Sequence, residues 1–181
     1  MGELVDSEEE VIKEGNISLI INDYNDIFSS FDPRAYLERA LSDDFLQECK
    51  RAARDKNEEQ LELRILIPKK IRNIKEEWKI KKRLRDHFNH HANEKENKLI
   101  KTKREGLLWV FLGIVINIVV VSGFIYSTSN IIETILSIFE VPSWFLIWEG
   151  MGKIFLESRK FMPEQEFYKK MSRAEINFTE Y

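Results

Sequence analysis

A stretch of 21 residues, Gly106 to Tyr126, reads GLLWVFLGIVINIVVVSGFIY and holds no charged side chain. A helix of that length rises roughly 31 Å, which matches the hydrocarbon thickness of a bilayer. A helix that is apolar all round is either the core of a large protein or a membrane span, and a chain of 181 residues is short for the former. The stretch predicts a transmembrane helix, and the rest of the chain has to be arranged around it.

The charge distribution orients the span. The net charge of −3 sums two unlike segments: residues 1–62 carry 17 acidic and 7 basic side chains, whereas residues 69–105 carry 6 acidic and 14 basic. A basic neck against an apolar span is the positive-inside pattern, which puts the neck and what precedes it in the cytoplasm. No basic run followed by a short apolar core opens the sequence, so a cleaved leader is not expected. Cys49, the single cysteine, has no intrachain disulfide partner and fits a reducing compartment.

Ahead of the neck the patterning predicts a small βαβ head over residues 16–68. Residues 1–15 are acidic, poor in large apolar side chains, and read as a disordered tail. Asn16–Asn22 (NISLIIN) reads as a short strand. Pro33 after Asp32 reads as the first turn of a short helix reaching Leu41. Ser42, followed by Asp43 and Asp44, opens a second helix to about Lys56, with Phe45, Leu46, Cys49 and Ala53 on its apolar face. Cys49 is then a small core residue rather than a nucleophile. Gln60–Pro68 alternates Leu61, Leu63, Ile65 and Ile67, the clearest strand in the chain. Two parallel strands are marginal alone, so the reading expects close helical cover or strands from a second subunit.

The neck, Lys69–Glu105, has no Pro or Gly and reads as one long helix with an interrupted stripe of Ile74, Trp78, Leu84, Phe88, Ala92 and Leu99. Its last basic residues, Lys98, Lys101, Lys103 and Arg104, border the span and are expected to meet anionic lipid headgroups; nucleic acid is not expected as the partner. Beyond the polar turn Ser127–Asn130, residues 131–156 form a second apolar segment, expected to return through the membrane; a competing arrangement lays part of it in the interface. Its charged residues are Glu133, Glu140, Glu149 and Lys153. The intramembrane polar candidates are Asn117, Glu149 and Lys153, with Lys153 the natural partner of Glu149 one turn away. Gly106 and Gly113 share a face with Asn117 and would let another helix approach closely. The tail 157–181 reads as a cytosolic helix, with Phe167, Met171, Ala174 and Phe178 in one stripe.

His87, His90 and His91 are all the histidines of the chain and the only metal candidates. One helix aims at most two imidazoles at an ion, so the pattern assigns no metal without a second helix or subunit. No Gly-rich phosphate loop, nucleophile elbow or Cys/His pair is present, so no catalytic residue and no cofactor are assigned. The fold class is an α+β integral membrane protein: cytosolic βαβ head, long juxtamembrane helix, two-helix transmembrane hairpin and C-terminal helix. The function expected of it is that of a non-enzymatic, homo-oligomeric anchor, scaffold or adaptor in the cell membrane, multi-pass with both termini cytoplasmic and its protein partner open. The alternative is an oligomeric channel or pore-forming effector, gated by the head and lined by Asn117 and Glu149.

Overall fold

In a computed structural model of the chain, the alternation around Ile65 becomes the middle strand of a three-stranded parallel sheet. The structure describes residues 16–54, 56 and 61–181, so the tail expected over residues 1–15 lies outside the described residues. The strands are β1 (Asn16–Ile20), β2 (Glu62–Ile67) and β3 (Glu175–Glu180), in the order β1-β2-β3. Ile17 lies opposite Leu63 and Leu19 opposite Ile65; on the other edge Leu63 faces Ile176 and Ile65 faces Phe178. The two-residue period sends Ile17, Leu63, Ile65, Ile67, Ile176 and Phe178 to one buried face.

Three helices contribute to the same core. Helix α1 (Asp43–Arg54) supplies Phe45, Cys49 and Ala53, the face its periodicity predicts. Helix α2 (Ile74–Tyr126) supplies Ile80, Leu84, Phe88 and Ala92, and helix α4 (Ser158–Arg173) supplies Phe167, Tyr168 and Met171. Burial pushes the Cys49 thiol up to about 12, so at neutral pH it is a protonated packing group. The chain divides into two compact units: the α/β head, which includes residues 166–181, and residues 94–165.

The parallel pairing of β1 with β2 follows the βαβ pattern, but the sheet does not stop at two strands. The tail is helical only to Arg173, and EINFTE then turns to strand beside β2. The third strand therefore comes from the chain's own C-terminal segment, which removes the incomplete sheet as a reason to invoke a second subunit. Phe167, Met171 and Ala174 do share the buried side of the tail; Phe178 continues the step of four by coincidence while facing the core from a strand.

The helix expected from Pro33 to Leu41 is also replaced. The carboxylate of Asp32 does not cap a helix: it accepts the Ala40 N–H at 2.7 Å and binds the Arg34 guanidinium at 2.7 Å. The guanidinium, foremost among several donors, holds the Asp32 carboxyl well below the usual carboxylate range. The base of this excursion is closed by Ser29 N–H on the Ala40 carbonyl (2.9 Å), Ser42 N–H on the Ile27 carbonyl (2.9 Å) and an antiparallel bridge between Phe28 and Leu41. Residues 29–40 are thus a closed loop that leaves Phe31 94% exposed.

The neck helix begins at Ile74 rather than at Lys69, where Asn73 caps it by accepting the Lys75 N–H at 3.1 Å. Residues 69–71 form a single 3-10 turn. The inward stripe is Ile80, Leu84, Phe88 and Ala92; Ile74 and Trp78 face outward, 78% and 62% exposed. The inward position at this end of the helix belongs to Glu77, whose buried carboxylate takes the Tyr24 hydroxyl at 3.1 Å and the Arg72 guanidinium at 3.0 Å. Gly106 does not interrupt α2, so neck and apolar stretch are one continuous helix.

Deleting residues 175–181 is expected to strip amide-exchange protection from Leu63–Ile67, and Phe178→Ala to cost about 3–5 kcal/mol of head stability in urea titration. Unchanged protection in the truncated protein would show that β3 is dispensable to the sheet.

Candidate membrane hairpin

Two helical runs among the described residues, Ile74–Tyr126 and Asn130–Arg173, are long and apolar enough to cross a membrane. The first ends at Tyr126 because Ser127–Ser129 leave helical geometry, the Ser127 hydroxyl oxygen accepting the Ser129 N–H at 3.2 Å. Helix α3 (Asn130–Gly152) then runs on without a break at Glu140 or Pro142. Pro142 lacks the N–H its turn would use, yet the helix continues through it. A π turn follows at Lys153–Glu157 and leads into α4, with the Ser158 hydroxyl donating to the Ile154 carbonyl.

The two helices meet along small residues at steps of seven. A side-chain carbon added at Gly106 would stand 2.7 Å from the Gly150 carbonyl oxygen, and one at Gly150 would stand 2.5 Å from that of Gly106. Seven residues deeper, a carbon at Gly113 would stand 2.7 Å from the Ser143 carbonyl oxygen. At Gly123 the neighbour is the Leu136 side chain, at 2.5 Å. These backbones approach as only glycine permits, the close packing that holds apolar helices together where the hydrophobic effect cannot. Outside the seam the side chains of Leu107, Phe111, Ile118, Val119, Ile131, Ile138, Phe145 and Trp148 are exposed, an apolar surface far larger than a water-soluble unit carries.

The predicted polar residues separate in this frame. Asn117 is used inside the hairpin: its amide donates to the Ser143 hydroxyl at 3.3 Å, and that hydroxyl donates to the Glu140 carbonyl at 2.7 Å. Ser143 is fully buried; the sequence signal for its part in the seam is Gly150, seven residues on. Lys153 does not turn back to Glu149. It stands 3.8 Å from Glu105 and 3.8 Å from Glu157. Glu105 lies across the seam, 48 positions away in sequence, so only the pairing of the helices reveals it. Glu149 stays exposed on α3.

Of the candidate lipid contacts, Lys98 places its ammonium 4.8 Å from the Phe161 ring centroid, while Lys101, Lys103 and Arg104 are exposed. Nearer the head, Lys95 pairs with Glu164 at 2.5 Å.

His87 and His91 belong to the head's packing, whereas His90 is exposed. His87 lies 4.4 Å from His91 and 5.7 Å from Phe88 between ring centroids, and His91 lies 5.2 Å from Tyr168. Among the described residues no group of three or more His, Cys, Asp or Glu side chains is placed to hold a metal. Burial, reinforced by the neighbouring His91, Arg83 and His90, lowers His87 to about 4, and its Nε2 is buried without a hydrogen-bond partner among the described residues.

Comparison with known proteins adds no relative: no family model matches the chain, nor does any curated protein or solved structure.

Two outcomes follow from this geometry. With Cys49 replaced by Ser, cysteines at Asn117 and Ser143 are expected to form an intrachain disulfide on oxidation, and adding Gly113→Leu is expected to abolish it by forcing the helices apart. His87 is held neutral in the folded head but accepts a proton when unfolded below its ordinary value near 6.5. The unfolded state then binds more protons, so stability falls as pH drops from 6.5 towards 4, by about 1 kcal/mol once the ring's partial exposure is allowed for. His87→Phe is expected to flatten that part of the urea-midpoint profile.

Proposed function

We propose that this chain is a membrane-integral anchor or scaffold that holds an α/β head in the cytoplasm and performs no chemistry of its own. The observation that carries the reading is the hairpin: two long apolar helices packed through glycines, with apolar side chains turned outward on both. Lipid is the solvent in which that surface is stable.

The sheet supports two crossings rather than one. β3 pairs with β2 inside the head. A C-terminal segment left on the far side of a bilayer could not make those hydrogen bonds, which supports an even number of crossings. This favours the returning helix over an interfacial one on the outer surface. The exposed cluster Lys101, Lys103 and Arg104 beside the apolar stretch favours a cytoplasmic neck meeting anionic headgroups. Asn117, satisfied by Ser143 within the same hairpin, has a packing role that needs no pore.

The test is extraction together with labelling. The protein is expected to stay in the membrane pellet through alkaline carbonate. In a Cys49→Ser background, Ser129→Cys is expected to react with an impermeant maleimide from outside the cell, and Ser172→Cys only after permeabilisation. Release by carbonate would overturn membrane integration, and outside labelling of Ser172→Cys would overturn the paired crossings.

A further inference from the structure

The uncharged stretch of α2 has a charged neighbour halfway along α3. The Asn117 amide meets Ser143, whose hydroxyl donates to the Glu140 carbonyl, so Glu140 stands level with the middle of the stretch from Gly106 to Tyr126. Counting along α3 gives the same level. Glu140 is ten residues from Gly150, which faces Gly106, and ten from Asn130 at the turn. Ten residues of helix rise roughly 15 Å, half the thickness of a hydrocarbon core. The Glu140 side chain is exposed, and its carboxyl group has no hydrogen-bond or ion-pair partner among the described residues.

The polar groups around it are arranged differently. The Thr134 hydroxyl donates to the Asn130 carbonyl at 2.9 Å, and that of Ser137 to the Thr134 carbonyl at 2.7 Å. Half-buried Asn117 spends one amide hydrogen on Ser143 and holds a second. Glu140 shares its flank of α3 with Ile147, seven residues on, and Ile147 lies against Gly113, one turn before Asn117. An acceptor without a partner and a spare donor thus share one level and one flank of the hairpin.

In the membrane reading, on which this inference rests, lipid cannot answer that carboxyl group. Halfway through the bilayer there is neither water nor headgroup, and acyl chains offer no hydrogen bond. No cation of the chain is near: residues 106–126 carry no charge, and Lys153 lies thirteen residues along the helix, engaged with Glu105 and Glu157. What remains is a protein group at the same depth. A second copy inserted the same way supplies one, because a twofold axis along the bilayer normal sets like depths opposite each other. Acceptor then meets donor twice, once in each direction.

We infer that two copies of this chain pack together halfway through the membrane, the Glu140 carboxyl of each accepting from the Asn117 amide of the other. Ser137, one turn from Glu140 on the same flank, then lies at the rim of the contact.

The test uses the full chain in membranes with Cys49→Ser. Ser137→Cys is expected to give a covalent dimer with a bilayer-permeant oxidant, and Ile135→Cys, as exposed but on another face, to give little. Native mass spectrometry of the otherwise unaltered chain from nanodiscs is expected to show a dimer. Glu140→Leu suits an apolar helix and is expected to lower the dimer fraction about tenfold, whereas Glu140→Gln keeps the hydrogen bond and the dimer. Equal crosslinking at the two cysteines, a monomeric unaltered chain, or a dimer indifferent to Glu140→Leu would overturn the contact. So would cation flux into liposomes that Glu140→Leu abolishes, which would assign the carboxyl group to an ion path. Carbonate extraction separates the two ways of failing: a pelleted monomer overturns this contact alone, whereas a released protein overturns the membrane reading along with it.

Discussion

The hydrogen bonds between β2 and β3 are the constraint on which the rest of the chain depends. Parallel strands cannot be joined by a tight turn, so a crossover has to carry the chain from one end of the sheet back to the other. Here the crossover contains both long apolar helical runs found among the described residues, and the side chain of Asn177 still reaches Glu62, 115 positions away, at 2.9 Å. The head is therefore not a domain with an anchor appended to its end. Its third strand, and the Phe167, Tyr168 and Met171 face of α4, arrive only after the chain has gone out along α2 and come back along α3. Head and hairpin are coupled by connectivity: misplacing the return helix would take away a sheet edge and part of the core together.

That coupling also explains what the sequence does and does not reveal. The apolar stretch, the β2 alternation and the α1 face are local patterns whose period can be read directly, and they are where the structure has them. β3 is not local. EINFTE is short, and its two inward residues, Ile176 and Phe178, follow a helix whose own stripe happens to reach Phe178 at the same step. Nothing within that window records that β2 has an unpaired edge. The Asp32–Pro33 pair fails differently: the same residues start helices and close loops, and the choice rests on whether Ala40 can return to the Asp32 carboxylate, which a linear reading cannot see. Spacing alone puts Ile74 and Trp78 in the apolar stripe, whereas the fold turns the helix so that Glu77 meets Tyr24 and Arg72.

The candidate site was legible to about the same depth. Asn117, Gly106 and Gly113 stand out because a polar or small residue in an apolar run has few reasons to be there. Their partners on α3 are set by the antiparallel register, which fixes Gly150 against Gly106 and Ser143 against Gly113. The register likewise hands Lys153 to Glu105. Sequence spacing offers Lys153 an intrahelical partner one turn away, but it leaves out the facing helix, which offers a carboxylate at 3.8 Å.

Read along its length, the helix pair changes its chemistry in one direction. Nearest the head the contacts are ionic, Lys95 with Glu164, and then cation on ring, Lys98 with Phe161. Lys153 with Glu105 is the last ion pair before the seam becomes glycine on glycine, at Gly106 and Gly150. Beyond it come Gly113 on Ser143, the Asn117 amide on the Ser143 hydroxyl, and Leu136 against Gly123. In water this order would be wasteful, because burying large side chains would hold the far half better than glycines do. In a bilayer the reasoning reverses. Apolar side chains gain nothing by leaving lipid, so close backbone contact and satisfied polar groups are what remain to bind one helix to the other. The change from charge to glycine at Gly106 thus falls where the sequence changes from basic to apolar, and in the proposed membrane reading both changes answer to one boundary between water and hydrocarbon.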